Sequence, residues 1–207
     1  GATWLQLPEP PNQQQVEQWI AEAIRRSGIA DGALRINWSR GSGGRGLQPP
    51  SQAKGRCWGS LHPHQPSFQR QQVVISERVQ RWADDPLKGC KTLDYSAMVL
   101  ARLEASQAGA SDVLLRSSQG GLCCGSSANL LVQEGGQWLT PPLSSGALPG
   151  VMRARGVAMG LIQEARLADS LPNEQPALLL NSLDCRPLNH IAEPLAEPLF
   201  VQLLGSD

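Results

Sequence analysis

The sequence carries no net charge, no long apolar run and no paired cysteine motif, and each absence removes a class of function. Its 207 residues hold 18 basic and 18 acidic side chains, for a formal net charge of zero. That balance gives no general electrostatic drive toward nucleic acid or an anionic membrane surface. No apolar stretch approaches the roughly 20 residues of a membrane-spanning helix, so the chain reads as soluble. The five cysteines, Cys57, Cys90, Cys123, Cys124 and Cys185, are odd in number and lack the C-x-x-C spacing of a zinc site. They read as free thiols in a reducing cytoplasm, and adjacent Cys123 and Cys124 cannot easily bridge to each other. Histidine is scarce: His62 and His64 stand among prolines without a third ligand, which argues against a metal, and His190 reads as structural. No secretory signal is present either.

What is there is a mixture of helix and strand patterns. Pro8-Glu9-Pro10-Pro11-Asn12 is a stiff turn, with Asn12 placed as an N-cap and Gln15 at the capping-box position. Val16, Trp19, Ile20, Ala23 and Ile24 follow at helical spacing, which predicts a core-facing helix ending at Gly28. Residues 33–38 alternate as a half-buried strand, and residues 56–61 read as a strand returning beside it. His62-Pro63-His64-Gln65-Pro66 has the composition of a linker, giving domains of residues 1–66 and 67–207. Beyond it, strands are expected at 73–75, 112–115, 130–132, 137–139 and 177–180. Helices are expected from Tyr95 to Gly109, from Pro149 through Leu167, and over 194–204. The stretch Gly120–Asn129 reads as a glycine-rich turn.

Three segments carry candidate chemistry. In Lys88-Gly89-Cys90-Lys91-Thr92-Leu93-Asp94-Tyr95, Lys91 leads directly into a helix; an amine at the edge of a core, partly desolvated, can act as nucleophile or base. Leu148-Pro149-Gly150-Val151-Met152-Arg153 places the Val151 and Met152 N–H groups in the first turn of a helix, unpaired and at the positive end of its dipole, which suits a phosphate. Ser39-Arg40-Gly41-Ser42-Gly43-Gly44-Arg45-Gly46 combines exposed backbone N–H groups with two guanidinium groups suited to carboxylates.

Together with Ala128-Asn129-Leu130-Leu131 and Thr140-Pro141-Pro142, and at their spacings, these segments resemble the class IV (fold-type IV) pyridoxal-phosphate enzymes. That family holds branched-chain and D-amino-acid aminotransferases and aminodeoxychorismate lyase; the Ser39–Gly46 segment looks most like the lyase branch. The resemblance runs from about Leu7 to about Leu204. It implies an α/β (α+β) fold: a small N-terminal α/β domain and a larger domain with a bent, barrel-like sheet, with the cofactor, pyridoxal 5′-phosphate, between them. It implies Lys91 as the lysine joined to the cofactor, Tyr95 at the cofactor's 3′ oxygen, and Val151, Met152 and Ser182 at its phosphate. Arg45 would hold a substrate carboxylate. A small-molecule substrate, a homodimer and no nucleic-acid or membrane partner follow from the same likeness.

The chain departs from the family in two places. The section that would carry a phosphate-gripping arginine does not precede Gly1-Ala2-Thr3-Trp4, so the sequence is either a fragment or differs at that grip. Cys124 stands five residues before Asn129, where the family has a glutamate paired with the protonated pyridine nitrogen. A neutral thiol is a poor partner for that cation, whereas a thiolate with a pKa below about 7 could serve. The loss harms a transaminase more than a lyase drawn forward by aromatisation. The expectations are therefore a lyase first, an aminotransferase second, and a non-catalytic relative that keeps only the fold third.

Overall fold

Asn12 starts the first helix, α1 (Gln13–Ser27), through a complete capping box: its side chain accepts from the Gln15 N–H at 2.9 Å, and the Gln15 side chain accepts from the Asn12 N–H at 2.9 Å. Gly28 ends it in the left-handed region, at φ 69°. Strands β1 (Gly32–Ser39) and β2 (Arg56–Pro63) pair antiparallel from Gly32 with Pro63 to Ser39 with Arg56. In the computed structural model, which describes residues 1–205, these elements make up the first of two compact units, Gly1–Gln65; the second is Pro66–Asp207. The apolar face of α1 is not the buried face that its spacing predicts: no residue of α1 is fully buried, and Trp19 and Ile24 stay 42% and 39% exposed. A two-stranded sheet has too little surface to cover such a stripe.

The second unit is built on an eight-stranded sheet. Its strands are β3 (Val73–Arg81), β4 (Asp112–Ser117), β5 (Leu122–Gly125), β6 (Asn129–Glu134), β7 (Gln137–Thr140), β8 (Ile162–Glu164), β9 (Ala177–Leu180) and β10 (Cys185–Pro187). The order β10-β9-β6-β5-β4-β3 forms the main path. One edge of β6 pairs with β9; its other edge pairs with β5 at Asn129 and with β7 from Val132 onward. The sheet therefore splits at β6, as a bent sheet must.

Two parallel pairs are joined by helices, β3 to β4 through α2 (Ser96–Gln107) and β7 to β8 through α3 (Val151–Ala158). A last helix, α4 (Glu193–Leu204), packs with α3. Strand β9 is apolar throughout because it is covered on both faces. Leu178 and Leu180 join α3 and α4 in one core, while Ala177 and Leu179 face Leu114, Leu122 and Leu130 in another.

Two expectations need correction. The helix expected to run to Leu167 stops at Ala158: Gly160 turns left-handed at φ 72°, and residues 162–164 become β8 beside β7. Sheet pairing with Ile162 turned inward wins over helical continuation. Within the expected turn at Gly120–Asn129 lies β5, short and fully buried. In α2 the buried face is Ala101 and Ala105, whereas Val99 and Leu103 are 56% and 55% exposed; small residues let the helix approach the sheet closely.

Among the described residues no helix is long and apolar enough to cross a membrane, and no group of three or more His, Cys, Asp or Glu could hold a metal ion. All five cysteines are free.

Two stability predictions follow from these packings. Ala105→Leu should lower stability by about 1–3 kcal/mol through overpacking, while Leu103→Ala should stay within about 0.5 kcal/mol, as read from urea midpoints. Burial, reinforced by the Asp184 carboxylate, pushes the Cys185 thiol from its ordinary 9.0 up to about 12. The unfolded thiol ionises first, so the stability it contributes is complete below about pH 9 and is lost as pH rises toward about 12. Cys185→Ala should unfold with a flatter pH dependence across that window.

Candidate functional site

Asn129 is the residue on which several strands and a helix converge. In the sheet it lies opposite Cys124 of β5 on one side and Leu180 of β9 on the other. Its side-chain amide donates to the Leu148 carbonyl at 2.9 Å, tying the loop before α3 to the sheet. A Cβ on Gly150 would meet the Asn129 Oδ1 at 2.1 Å, so only glycine permits this approach. The start of α3, the end of β5 and the segment after β9 are thereby gathered at one end of the sheet.

Gly150 caps α3 with no side-chain hydrogen bond. The Val151 and Met152 N–H groups have no acceptor within the helix. Val151 is 70% exposed and Met152 is buried. Ser182 follows β9 in an exposed turn: Asn181 Oδ1 accepts from the Leu183 and Asp184 N–H groups at 2.8 and 2.9 Å. The Asn181 amide donates to the Ser127 carbonyl at 3.4 Å, holding that turn beside the chain that leads into Asn129.

Arg153, quoted in the motif without a role, is the charged residue that sequence reasoning missed. It is only 3% exposed, donates through Nη2 to the Pro141 carbonyl at 2.8 Å, and pairs with Glu164. Its Nε–H, also buried, has no partner among the described residues. The signal was its spacing: three residues before Gly156 and one after Met152, it lies on the buried face of a helix.

Cys123 and Cys124 share a face of the sheet because of a β-bulge. Leu115 pairs with Cys124 and Arg116 with Leu122, which leaves Cys123 as the extra residue. Both thiols pack with Val113, Leu115, Ala101, Ala105 and Ala147. The hydrogen bond with Cys123 and burial both hold the Cys124 thiol well above its ordinary range, the direction opposite to the one a thiolate would need.

Lys91 lies in the loop between β3 and α2. The neighbouring Lys88 is tied to the Ala83 carbonyl. Lys91 is exposed rather than desolvated, with its Nζ 5.5 Å from the centre of the Tyr95 ring. Among the described residues no carboxylate lies within ion-pairing distance of it. Tyr95 is half-buried and stands immediately before α2, its carbonyl accepting from the Val99 N–H at 2.8 Å. Arg45 belongs to the other unit, exposed in the connection between β1 and β2.

The end of the sheet at Asn129 gathers a helix start with open N–H groups, a serine-bearing turn and a buried guanidinium, while Lys91 and Tyr95 stand together before α2. The sequence profile of the amino-transferase class IV family matches residues 1–191. The chain belongs to that family. Among similar proteins, a proposed branched-chain-amino-acid aminotransferase of Methanocaldococcus jannaschii is 27% identical over 155 residues, 74% of this chain and 54% of the relative. A proposed aminodeoxychorismate lyase of Schizosaccharomyces pombe is 36% identical over 85 residues, 39% of this chain and 37% of the relative. The matches thus span about half or less of those relatives. The crystal structure of a proposed 4-amino-4-deoxychorismate lyase from Legionella pneumophila superposes with a TM-score of 0.87 at 21% identity, covering 98% of this chain and 80% of that one. This likeness shows the shared fold, a fold-type IV mixture of helix and sheet.

The Gly150 contact is directly testable. Gly150→Ala should cost about 1–3 kcal/mol in a class IV chain held this way. Adding Asn129→Ala should recover part of that loss, so the double variant melts above the temperature expected from the sum of the two single changes.

Proposed function

We propose that the protein is a pyridoxal-phosphate enzyme of the lyase type, which converts 4-amino-4-deoxychorismate to 4-aminobenzoate and pyruvate. The observation that carries this reading is Cys124: a protonated, buried thiol occupies the position where the family places a carboxylate. A reaction drawn forward by aromatisation tolerates a weakened electron sink better than transamination does. The Ser39–Gly46 segment and the 36% identity to the fission-yeast protein support the same branch.

The cofactor is pyridoxal 5′-phosphate. The residues present suit it: no side chain caps the α3 start, whose first N–H groups are open donors, and the buried Arg153 Nε–H of the same helix has no acceptor among the described residues. The Val151 and Met152 N–H groups and the Ser182 hydroxyl would hold the phosphate, Lys91 the aldehyde carbon, and Tyr95 the 3′ oxygen. When bound, the cofactor withdraws the electron pair left by proton removal. Lys91, with its amine free, would accept the C4 proton as a general base and return it to the departing enolpyruvate. The enolpyruvyl group then leaves as pyruvate and the ring becomes aromatic. Arg45 binds a substrate carboxylate. A homodimer acting on a small molecule is part of the same proposal.

The match to the archaeal aminotransferase over 74% of the chain favours a second reading, a class IV aminotransferase. The two separate cleanly. Full-length protein with pyridoxal phosphate should form 4-aminobenzoate without any keto acid; strict dependence on a keto acid, with amino-acid product, would establish the aminotransferase instead. Lys91→Ala should lose both the absorbance band near roughly 410–430 nm and at least about 10³-fold in rate, and Arg45→Gln should raise KM more than it lowers kcat.

A further inference from the structure

Helix α2 rests chiefly on β3 and β4, with Ala101 and Ala105 buried, and its opposite side is bare. At helical spacing that side carries Ser96, Val99, Leu100, Leu103, Ser106 and Gln107, all of them exposed. Val99, Leu100 and Leu103 are 56%, 43% and 55% exposed, and Leu93, just ahead of the helix, is 53% exposed. None of these residues is charged. The charged side chains of α2 lie at the flanks of the stripe and are engaged within the protomer. Arg102 faces Asp112 at 3.4 Å, and Glu104 accepts from the Ser76 hydroxyl at 2.6 Å and from the Glu77 N–H at 2.8 Å.

The composition is that of an interface centre: apolar in the middle, hydroxyl and amide side chains at the ends, and no charge. Symmetry says what covers it. On a two-fold axis each residue near the axis meets its own copy, so any charge there would face a like charge; the stripe carries none. A partner of another kind is normally steered and selected by complementary charge, and this face offers none to read. We propose that a second copy of the chain docks here, α2 against α2 across a two-fold axis, with Val99 and Leu103 near that axis. Their i, i+4 spacing makes a ridge that fits the groove beside the same ridge of the other copy. The inference rests on the homodimer of the function proposed above and names the face that forms it.

The consequence reaches the candidate site. Lys91 and Tyr95 stand immediately before the first turn of this face, with the exposed Lys91 Nζ 5.5 Å from the centre of the Tyr95 ring. Leu93, between them in the chain, extends the apolar stripe toward the same loop. Docking on α2 therefore sets the neighbouring copy beside the loop that carries the candidate amine.

The test is sedimentation velocity of the full-length protein over a range of micromolar concentrations. The parent should sediment as a dimer. Val99→Lys and Val99→Glu should each weaken association at least about 100-fold, because the two-fold sets like charges against each other in both, and an equimolar mixture of the two should regain the dimer. Val99 is exposed, so both variants should keep the parent's circular dichroism and, at dilutions where the copies are apart, its urea midpoint; protomer stability and association separate in the same way at Leu103. If either variant does not fold, Leu103→Lys and Leu103→Glu give the same reading. Single variants that dimerise as tightly as the parent overturn the inference and leave the homodimer standing on another face, and a mixture that stays monomeric overturns the two-fold contact. A parent that is monomeric at every concentration overturns the homodimer reading as well, and then another occupant covers this face.

Discussion

The hydrogen bond from the Asn129 amide to the Leu148 carbonyl fixes the candidate site more than any other single contact. It joins a central strand to the loop that starts α3, and the direction in which the open N–H groups of that helix point depends on it. The bond is 2.9 Å long and part-buried, with Asn129 itself buried, and an amide left there without its acceptor is costly. Gly150 is its geometric partner, since the same Asn129 side chain occupies the space that a Cβ would need. Residue type at two positions, one amide and one glycine, thus aims a helix terminus.

A second constraint acts through register. Side chains in a strand alternate between faces, so a slip of one residue would carry Cys124 to the opposite side of the sheet. The bulge at Cys123 resists such a slip, because two residues of β5 share one position opposite β4 and the pairing of Cys124 with Leu115 and with Asn129 is thereby pinned. The alanines of α2 matter for the same reason. Ala101 and Ala105 are small enough to let the helix rest on the thiols, which keeps water from them and keeps Cys124 protonated.

Much of the fold was legible because its signals are local. The capping box at Asn12, the glycine that ends α1, the Gly135-Gly136 turn between β6 and β7 and the apolar run of β9 each announce their element without tertiary help. What escaped was decided by partners distant in the chain. Residues 162–164 form a strand because β7 is there to pair with them. The inward face of α2 is chosen by the space over Cys123 and Cys124, against the pull of larger apolar residues on its outer side. The face of α1 stays half open for want of a third strand. In the candidate site, family spacing pointed to Lys91, Cys124 and the start of α3, but the ionisation of a thiol depends on its whole surroundings and could not be read from its neighbours in the chain.

Arg153 shows why that last difference matters chemically. Its sequence context says only that a cation follows a helix start. Burial turns it into a constraint, because a guanidinium withdrawn from water must place its N–H groups on acceptors, and two of the available acceptors, the Pro141 carbonyl and Glu164, are met through Nη2. The remaining Nε–H meets no acceptor among the described residues, so burial leaves one donor of this side chain unsatisfied.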